Sequence, residues 1–114
     1  MENVTIKGKI VEELKNMGFN FAHCGTTYLI EAIEIIYNSE RTDLINCLEK
    51  NVYVLVADKY NKKPSTVKSN ITKATNYMYE QSLMEKKKTD KYYNLYPKMT
   101  AKSVVNTVIL KINS

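Results

Sequence analysis

The sequence predicts an all-α protein of about six helices around one core, containing a helix-turn-helix. Two observations predict this class. Apolar residues recur at helical spacing, and only 3 Gly and 2 Pro occur in 114 residues, too few turn residues for a many-stranded sheet. This length suits one core, and 44% hydrophobic with 25% charged residues is typical of folded proteins. We therefore expect a single domain over residues 1–114.

The N-terminal part predicts two amphipathic helices. The first should cover about residues 5–17, where apolar residues share one helical face and Gly18 follows as a left-handed stop. A second apolar stripe predicts a helix that begins near Thr26 or Thr27, either of which could act as the N-cap. This helix is expected to end near Asn38.

The middle of the chain contains one ambiguous stretch. Thr42 can cap a short third helix, and Asn51 is suited to a left-handed position at its end. Residues 52–57 favour a strand by local propensity, because four of the six are β-branched or aromatic. We predict a helix instead, since residues 57–60 continue without a turn signal and a lone strand would find no partner.

The next helix is predicted to start at Pro64, whose fixed φ is helical and whose missing N–H is not needed at a first helical position. Its buried stripe, at steps of four, three and four, consists of Val67, Ile71, Ala74 and Met78. Polar and basic residues occupy the other side. Beyond Gln81 the highly charged residues 84–91 predict a poorly ordered surface loop.

The last helix should begin after Thr100, a suitable N-cap. Its apolar side consists of Val104, Val105, Val108, Ile109 and Ile112. Between the charged run and this helix lie Tyr92, Tyr93 and Tyr96, which we expect to cover the core, with a dimer contact as the alternative.

No pattern indicates an enzyme, a cofactor or a metal site. His23 and Cys24 are adjacent, so they cannot both face one ion from a regular helix, and no further ligand has suitable spacing. Cys24 and Cys47 lack redox or disulfide spacing and are interpreted as buried small hydrophobes. The N-terminus lacks signal-peptide features and no apolar run could cross a bilayer, so we expect a cytoplasmic protein.

Charge is distributed unevenly along the chain. Residues 1–49 contain four basic and eight acidic residues, whereas residues 50–91 contain ten lysines and four acidic residues. Such an asymmetry attracts a polyanion to one face of the protein. Nucleic acid is therefore the first candidate partner, and solvated lysine-rich helices are the alternative.

Residues 52–80 combine two helices and a short polar turn, which indicates a helix-turn-helix. Ala57 lies where the first helix must let the second approach closely, and Asn61 stands where the turn often has glycine. The N-terminal half of the second helix would enter the major groove, where the candidate base-contacting residues are Ser65, Thr66, Lys68, Ser69 and Thr72. Flanking residues that could bind phosphates are Lys62, Lys63 and Lys73.

A series of short segments carries a family resemblance through its order and spacing. They are YLIEAI at 28–33, YN at 37–38, VADKYN at 56–61, STV at 65–67 and KMT at 98–100. From about residue 8 to 112 the chain resembles the C-terminal effector domain of the stage 0 sporulation protein A family. The resemblance implies a six-helix domain that binds short promoter boxes as tandem copies and regulates sporulation and stationary-phase genes.

The resemblance also implies roles for single residues. The base-contacting positions of the family correspond to Ser65, Thr66, Lys68 and Ser69, and a basic loop that touches the DNA backbone corresponds to Lys98. The family has arginines at the sites of Thr66 and Ser69 and glutamate at the site of Lys68. Bidentate arginine contacts to guanine are therefore absent, and different boxes are expected. No receiver domain is recognisable in these residues; if the 114 residues are the natural product, no control by aspartate phosphorylation is expected.

The expected partners are double-stranded promoter DNA, a second copy of the chain as a homodimer or in tandem on the DNA, and RNA polymerase. No membrane partner is expected. The alternative is a helical interaction module that pairs with a full-length regulator through its last helix and does not bind DNA. Loss of the family's two arginines is consistent with that alternative.

Overall fold

The computed structural model of the chain describes residues 5–92, 95 and 97–113. Its five α-helices are α1 (Ile6–Met17), α2 (Cys24–Ser39), α3 (Tyr53–Lys59), α4 (Pro64–Thr89) and α5 (Ala101–Asn113). Between α2 and α3 lie a 3₁₀ helix, Thr42–Cys47, and a π-helical turn, Leu48–Val52. The described residues contain no strand, which confirms the all-α class. No described helix is both long and apolar enough to cross a bilayer.

The central helix is α2, which contacts each of the other four helices and packs most extensively on α4. Its inward residues Leu29, Ala32 and Ile33 are completely buried. The two helices approach most closely at Gly25, where a Cβ atom would collide with the backbone carbonyl of Asn70. The absence of a side chain at Gly25 therefore allows α4 to pack directly against α2.

The ends of α1 agree with the sequence prediction. Thr5 Oγ1 accepts a hydrogen bond from the Gly8 N–H at 2.9 Å, as an N-cap does. Gly18 adopts φ 101°, and its N–H donates to the carbonyls of Leu14 and Lys15. Gly18 is therefore the left-handed stop that was expected.

The predicted start of α2 is wrong by about a turn. The helix begins at Cys24, with His23 in the N-cap position, so neither Thr26 nor Thr27 is the cap. The hydroxyl of Thr26 donates instead to the carbonyl of Asn20 at 2.8 Å, which ties the preceding connector to the helix. A hydrogen bond to the preceding connector thus replaces the capping that the sequence suggested.

The segment between α2 and α3 also differs from the prediction. Arg41, not Thr42, occupies the N-cap position of the 3₁₀ helix. Asn51 is not left-handed, because the chain continues through the π-helical turn directly into α3. Residues 52–57 form no strand: Val52, Val56 and Ala57 are buried on one side of this helical stretch. Burial against α2 and α4 thus overrides their β propensity.

The predicted loop at residues 84–91 is wrong, because α4 continues to Thr89. Glutamate, lysine and methionine in this run are good helix formers. Three lysines, Lys86, Lys87 and Lys88, lie in the last turn, where cations interact favourably with the helix dipole. The run is charged because it is exposed to solvent, not because it lacks structure.

Two burial predictions are also wrong. Cys24 and Cys47 are both exposed, since Cys24 opens α2 on its outer side, whereas Leu44, Ile45 and Leu48 provide the inward residues around Cys47. Tyr92 is 57% exposed and does not cover the core. Tyr93 and Tyr96 lie outside the described residues.

One carboxylate is buried among these helices. Glu31 on α2 has a side chain that is only 5% exposed and lies 2.8 Å from Lys59 Nζ and 3.5 Å from Lys7 Nζ. The hydroxyl of Tyr60 donates to Glu31 Oε1 at 3.4 Å. Since Lys7 is on α1 and Lys59 ends α3, this cluster connects three helices by charge.

Candidate DNA interface

The turn between α3 and α4 depends on Asn61, which adopts φ 55°. Asparagine tolerates this left-handed conformation better than most residues other than glycine, which explains its position in the turn. The next residue, Lys62, donates its N–H to the Ala57 carbonyl at 2.8 Å. The turn is therefore short and closed, and it fixes the direction in which α4 leaves α3.

The first turn of α4 begins at Pro64, as the sequence predicted. Lys63 precedes it in an extended conformation, and its carbonyl accepts from the N–H groups of Thr66 and Val67 at 3.0 and 3.2 Å. The helix N-terminus is open to solvent, since Lys63, Pro64 and Ser65 are exposed. Its dipole therefore presents positive potential at this end.

The inner side of α4 is fixed by the apolar stripe predicted from the sequence. Its four members are at most 1% exposed: Val67, Ile71, Ala74 and Met78. They pack into the core formed with α2 and α3. Because a buried stripe fixes the rotation of a helix about its axis, the outward residues of α4 follow from this packing.

Most of the predicted base-contacting residues share one outer face. At about 100° per residue, Ser65, Lys68, Ser69 and Thr72 fall within an arc of about 100°. All four are exposed. Thr66 does not belong to this group, since it lies at the flank and is half-buried, with its carbonyl accepting from Asn70 Nδ2 at 2.8 Å. The face presents three hydroxyls and one ammonium group.

The predicted phosphate-binding lysines surround this face. Lys62 and Lys63 lie at the turn, Lys73 lies on the flank of α4, and all three are exposed. Lys98 lies just before α5 and lines a groove together with Thr72 of α4. The fold therefore brings Lys98, distant in sequence, next to the face of α4 that carries the predicted base-contacting residues.

A protein-family model matches nearly the whole chain. The family model described as the sporulation initiation factor Spo0A C terminal matches residues 10–112. The chain belongs to this family. The Spo0A C-terminal family is one of DNA-binding regulatory domains, so this protein is a sporulation-type transcription effector domain and not an enzyme. No curated protein matches the chain.

The sequence pattern missed one residue beside the interface. Glu49, in the π-helical turn before α3, forms an ion pair with Lys68 at 2.7 Å. Both side chains are more than half exposed. No local signal in the sequence could have shown this pair, because it depends on how the irregular segment folds against α4. The carboxylate thus partly neutralises the ammonium group that the sequence predicts to contact bases.

Replacing Glu49 with glutamine is expected to strengthen DNA binding about threefold at low salt. The substitution frees Lys68 from an exposed ion pair, which is worth roughly 0.2–1 kcal/mol. It also removes a negative charge that would repel DNA phosphates near the interface. Fluorescence anisotropy with a labelled duplex would measure the change. The matched control is Glu85→Gln, which removes the exposed partner of Lys88 from the opposite side of α4. Weaker binding of Glu49→Gln would show that Glu49 positions Lys68 instead of competing for it.

Among the described residues, His23 and Cys24 belong to no group of three or more His, Cys, Asp or Glu side chains that could hold one ion. His23 is in the N-cap position of α2, and its ring contacts that of Tyr77 edge-on, with centroids 4.9 Å apart. This contact joins the start of α2 to the middle of α4. The histidine therefore has a packing role beside the helix-turn-helix.

Proposed function

We propose that this Spo0A C-terminal family domain binds double-stranded promoter DNA sequence-specifically, with α4 in the major groove. The observation that supports it best is the outer face of α4, where four exposed hydrogen-bonding residues lie opposite a fully buried stripe. A helix held this rigidly presents its side chains to base edges without first having to order them.

In this proposal the residues that contact bases are Ser65, Thr66, Lys68, Ser69 and Thr72. Lys68 suits the acceptors of guanine, whereas hydroxyls can donate or accept and so suit several bases. Thr66 would act from the flank. This face has no arginine to make bidentate contacts with guanine. The DNA sequence that it prefers should therefore differ from the sequences that family members bind through arginines.

The proposed backbone contacts come from Lys62, Lys63, Lys73 and Lys98. These side chains are exposed around the base-contacting face, on both sides of α4. Phosphate contacts fix the register of a protein on DNA but carry no sequence information. We extend the proposal to tandem copies on adjacent boxes and to a contact with RNA polymerase on a face away from DNA.

The proposal is tested by mobility shifts at two salt concentrations, with a duplex chosen by selection from a random library. Binding should weaken steeply with salt, because each neutralised phosphate contributes about −0.9 to the slope of log K against log salt. A selection that enriches no sequence, together with no retarded complex at low salt, would refute the proposal.

Substituting Lys68 with alanine should relax the preference at one base position by about tenfold, since a base contact is worth roughly 1–3 kcal/mol. Selection repeated with the variant would show which position loses its preference. The control is Lys9→Ala, which removes an equal charge from the exposed side of α1. An equal loss of affinity for all DNA sequences would show that Lys68 contacts the phosphate backbone of the DNA and not a base.

The alternative, a partner module acting through the last helix, has less support. Most of the apolar side of α5 packs inside the domain itself: Val104, Val105, Val108 and Ile109 are at most 3% exposed. Leu110 is the one large hydrophobic side chain of α5 that is strongly exposed in the described residues. Co-elution with a regulator and no DNA binding would favour this alternative.

A further inference from the structure

The π-helical turn before α3 places the carboxylate of Glu49 beside the outer face of α4. The Tyr53 N–H donates to the Leu48 carbonyl and closes this turn. Leu48 and Val52 are buried, so the turn is anchored in the core while Glu49 is exposed, with Oε1 2.7 Å from Lys68 Nζ. Single π-helical turns occur frequently at functional sites, which makes Glu49 a candidate for a role in DNA binding.

An acidic side chain at this place opposes DNA binding unless it accepts a hydrogen bond from the DNA. The surroundings of Glu49 are basic, because Lys50 and Lys102 line the same groove and Lys68 is its ion-pair partner. Phosphate oxygens are negative and only accept hydrogen bonds, so they repel a carboxylate. In the major groove the donors are the exocyclic amines of cytosine and adenine. Glu49 can therefore favour binding only through one of these amines.

The spacing of the ion pair matches the edge of a G·C base pair. Guanine presents the acceptors O6 and N7, and cytosine presents its N4 amine. Guanine O6 and cytosine N4 are hydrogen-bonded to each other, so they lie about 2.9 Å apart. Lys68 Nζ and Glu49 Oε1 are 2.7 Å apart, with the donor and the acceptor in the complementary order. A T·A pair fits less well, because thymine has one acceptor and a methyl group where guanine has two acceptors.

We propose that Glu49 is a specificity-determining residue that recognises one G·C pair together with Lys68, an inference that rests on the proposed function. Lys68 donates to guanine, and Glu49 accepts from the N4 amine of the paired cytosine. The ion pair stays intact in the complex, so neither charge is buried without a partner. Inverting the base pair would place the amine against the ammonium group and the guanine oxygen against the carboxylate. Glu49 thus sets the orientation of the pair as well as its identity.

Exchanging the two charges tests the proposal directly. The double variant Glu49→Lys with Lys68→Glu should bind the selected box about tenfold more tightly after this one base pair is inverted, whereas the wild type should bind the inverted box about tenfold more weakly. Both side chains are more than half exposed, so the melting temperature should change little. The matched control exchanges the exposed pair Glu85 and Lys88 and should keep the wild-type preference. A double variant that prefers the original orientation, or neither, would overturn the proposal.

A cytosine analogue that lacks the 4-amino group tests the contact of Glu49 itself. Placed at the position identified with Lys68→Ala, it should weaken wild-type binding about fivefold more than it weakens the binding of Glu49→Ala. Equal weakening of the two proteins would contradict the contact. The tighter binding expected of Glu49→Gln applies to duplexes without this G·C pair, where the carboxylate only repels phosphates. On the selected box the lost contact offsets that gain.

Selection from a random library with Glu49→Ala distinguishes failure of this inference from failure of the proposed function. The variant should lose its preference at the same base position as Lys68→Ala and keep the preferences at the other positions. An enriched box that is identical for the wild type and Glu49→Ala would leave the proposed function standing and refute the role of Glu49. A wild-type protein that enriches no sequence and forms no complex would refute both.

Discussion

The variant Gly25→Ala is expected to lose about 2–3 kcal/mol of stability and most of its DNA binding. Its Cβ would collide with the carbonyl of Asn70 and lie 3.0 Å from Cβ of Ala74, both on α4. Since the obstructing atom belongs to the backbone, the helices must separate, and overpacking of this kind typically costs 1–3 kcal/mol. The displaced α4 carries the base-contacting face, so stability and binding should fall together.

Gly8→Ala is the matched control for this variant. Gly8 lies exposed in α1, and the same substitution there should stabilise the protein by up to about 1 kcal/mol, because alanine has the higher helix propensity. Urea unfolding followed by circular dichroism would give both values. If Gly25→Ala proved as stable as the wild type, this account would be contradicted, because the position of the outer face of α4 would not depend on close packing of α2 on α4.

Replacing Glu31 with glutamine should cost roughly 2 kcal/mol at neutral pH. The substitution removes a buried carboxylate that accepts from two lysines, and hydrogen bonds to charged groups contribute about 1.5–3 kcal/mol. The lysines themselves are more than half exposed and can return to water, so the loss is smaller than for a fully buried pair. The exposed Glu85→Gln should change stability little.

The cost of Glu31→Gln should also depend on pH. Burial alone would raise the pKa of Glu31, but the hydrogen bond and charge of Lys59, together with Lys7, lower that pKa below its ordinary value of 4.5. As pH falls, the unfolded chain therefore takes up this proton before the folded protein does. The stabilisation is present above about pH 4.5 and is lost below it. A stability difference between wild type and variant that stays constant from pH 7 to pH 3 would contradict this account.

The sequence predicted those parts of the fold that depend on local periodicity. The ends of α1, the start of α4 at Pro64 and the buried stripe from Val67 to Met78 are confirmed. These features depend on capping, on proline geometry and on helical spacing, all of which act over a few neighbouring residues. The turn residue Asn61, which stands where glycine is often found, adopts the left-handed conformation that such a position requires.

The prediction missed features of two kinds. Two are local: Thr26 donates to the carbonyl of Asn20 instead of capping α2, and the charged run of α4 is helical although a loop was predicted there. The pairing of Glu49 with Lys68 and the approach of Lys98 to Thr72 could not be predicted, because they require the assembled helices. The outer face of α4 and the lysines around it were predictable, whereas the acidic partner of Lys68 was not.

Directed cleavage of DNA from α4 tests the central claim most directly. An iron chelate would be attached to the cysteine introduced by Ser69→Cys, after Cys24→Ser and Cys47→Ser remove the two exposed natural thiols. The control places the chelate at Asn38→Cys, in the last turn of α2. We expect cuts centred within the selected box from the chelate on α4 and none from the chelate on α2. Cuts from α2 with none from α4 would show that another face of the domain meets DNA.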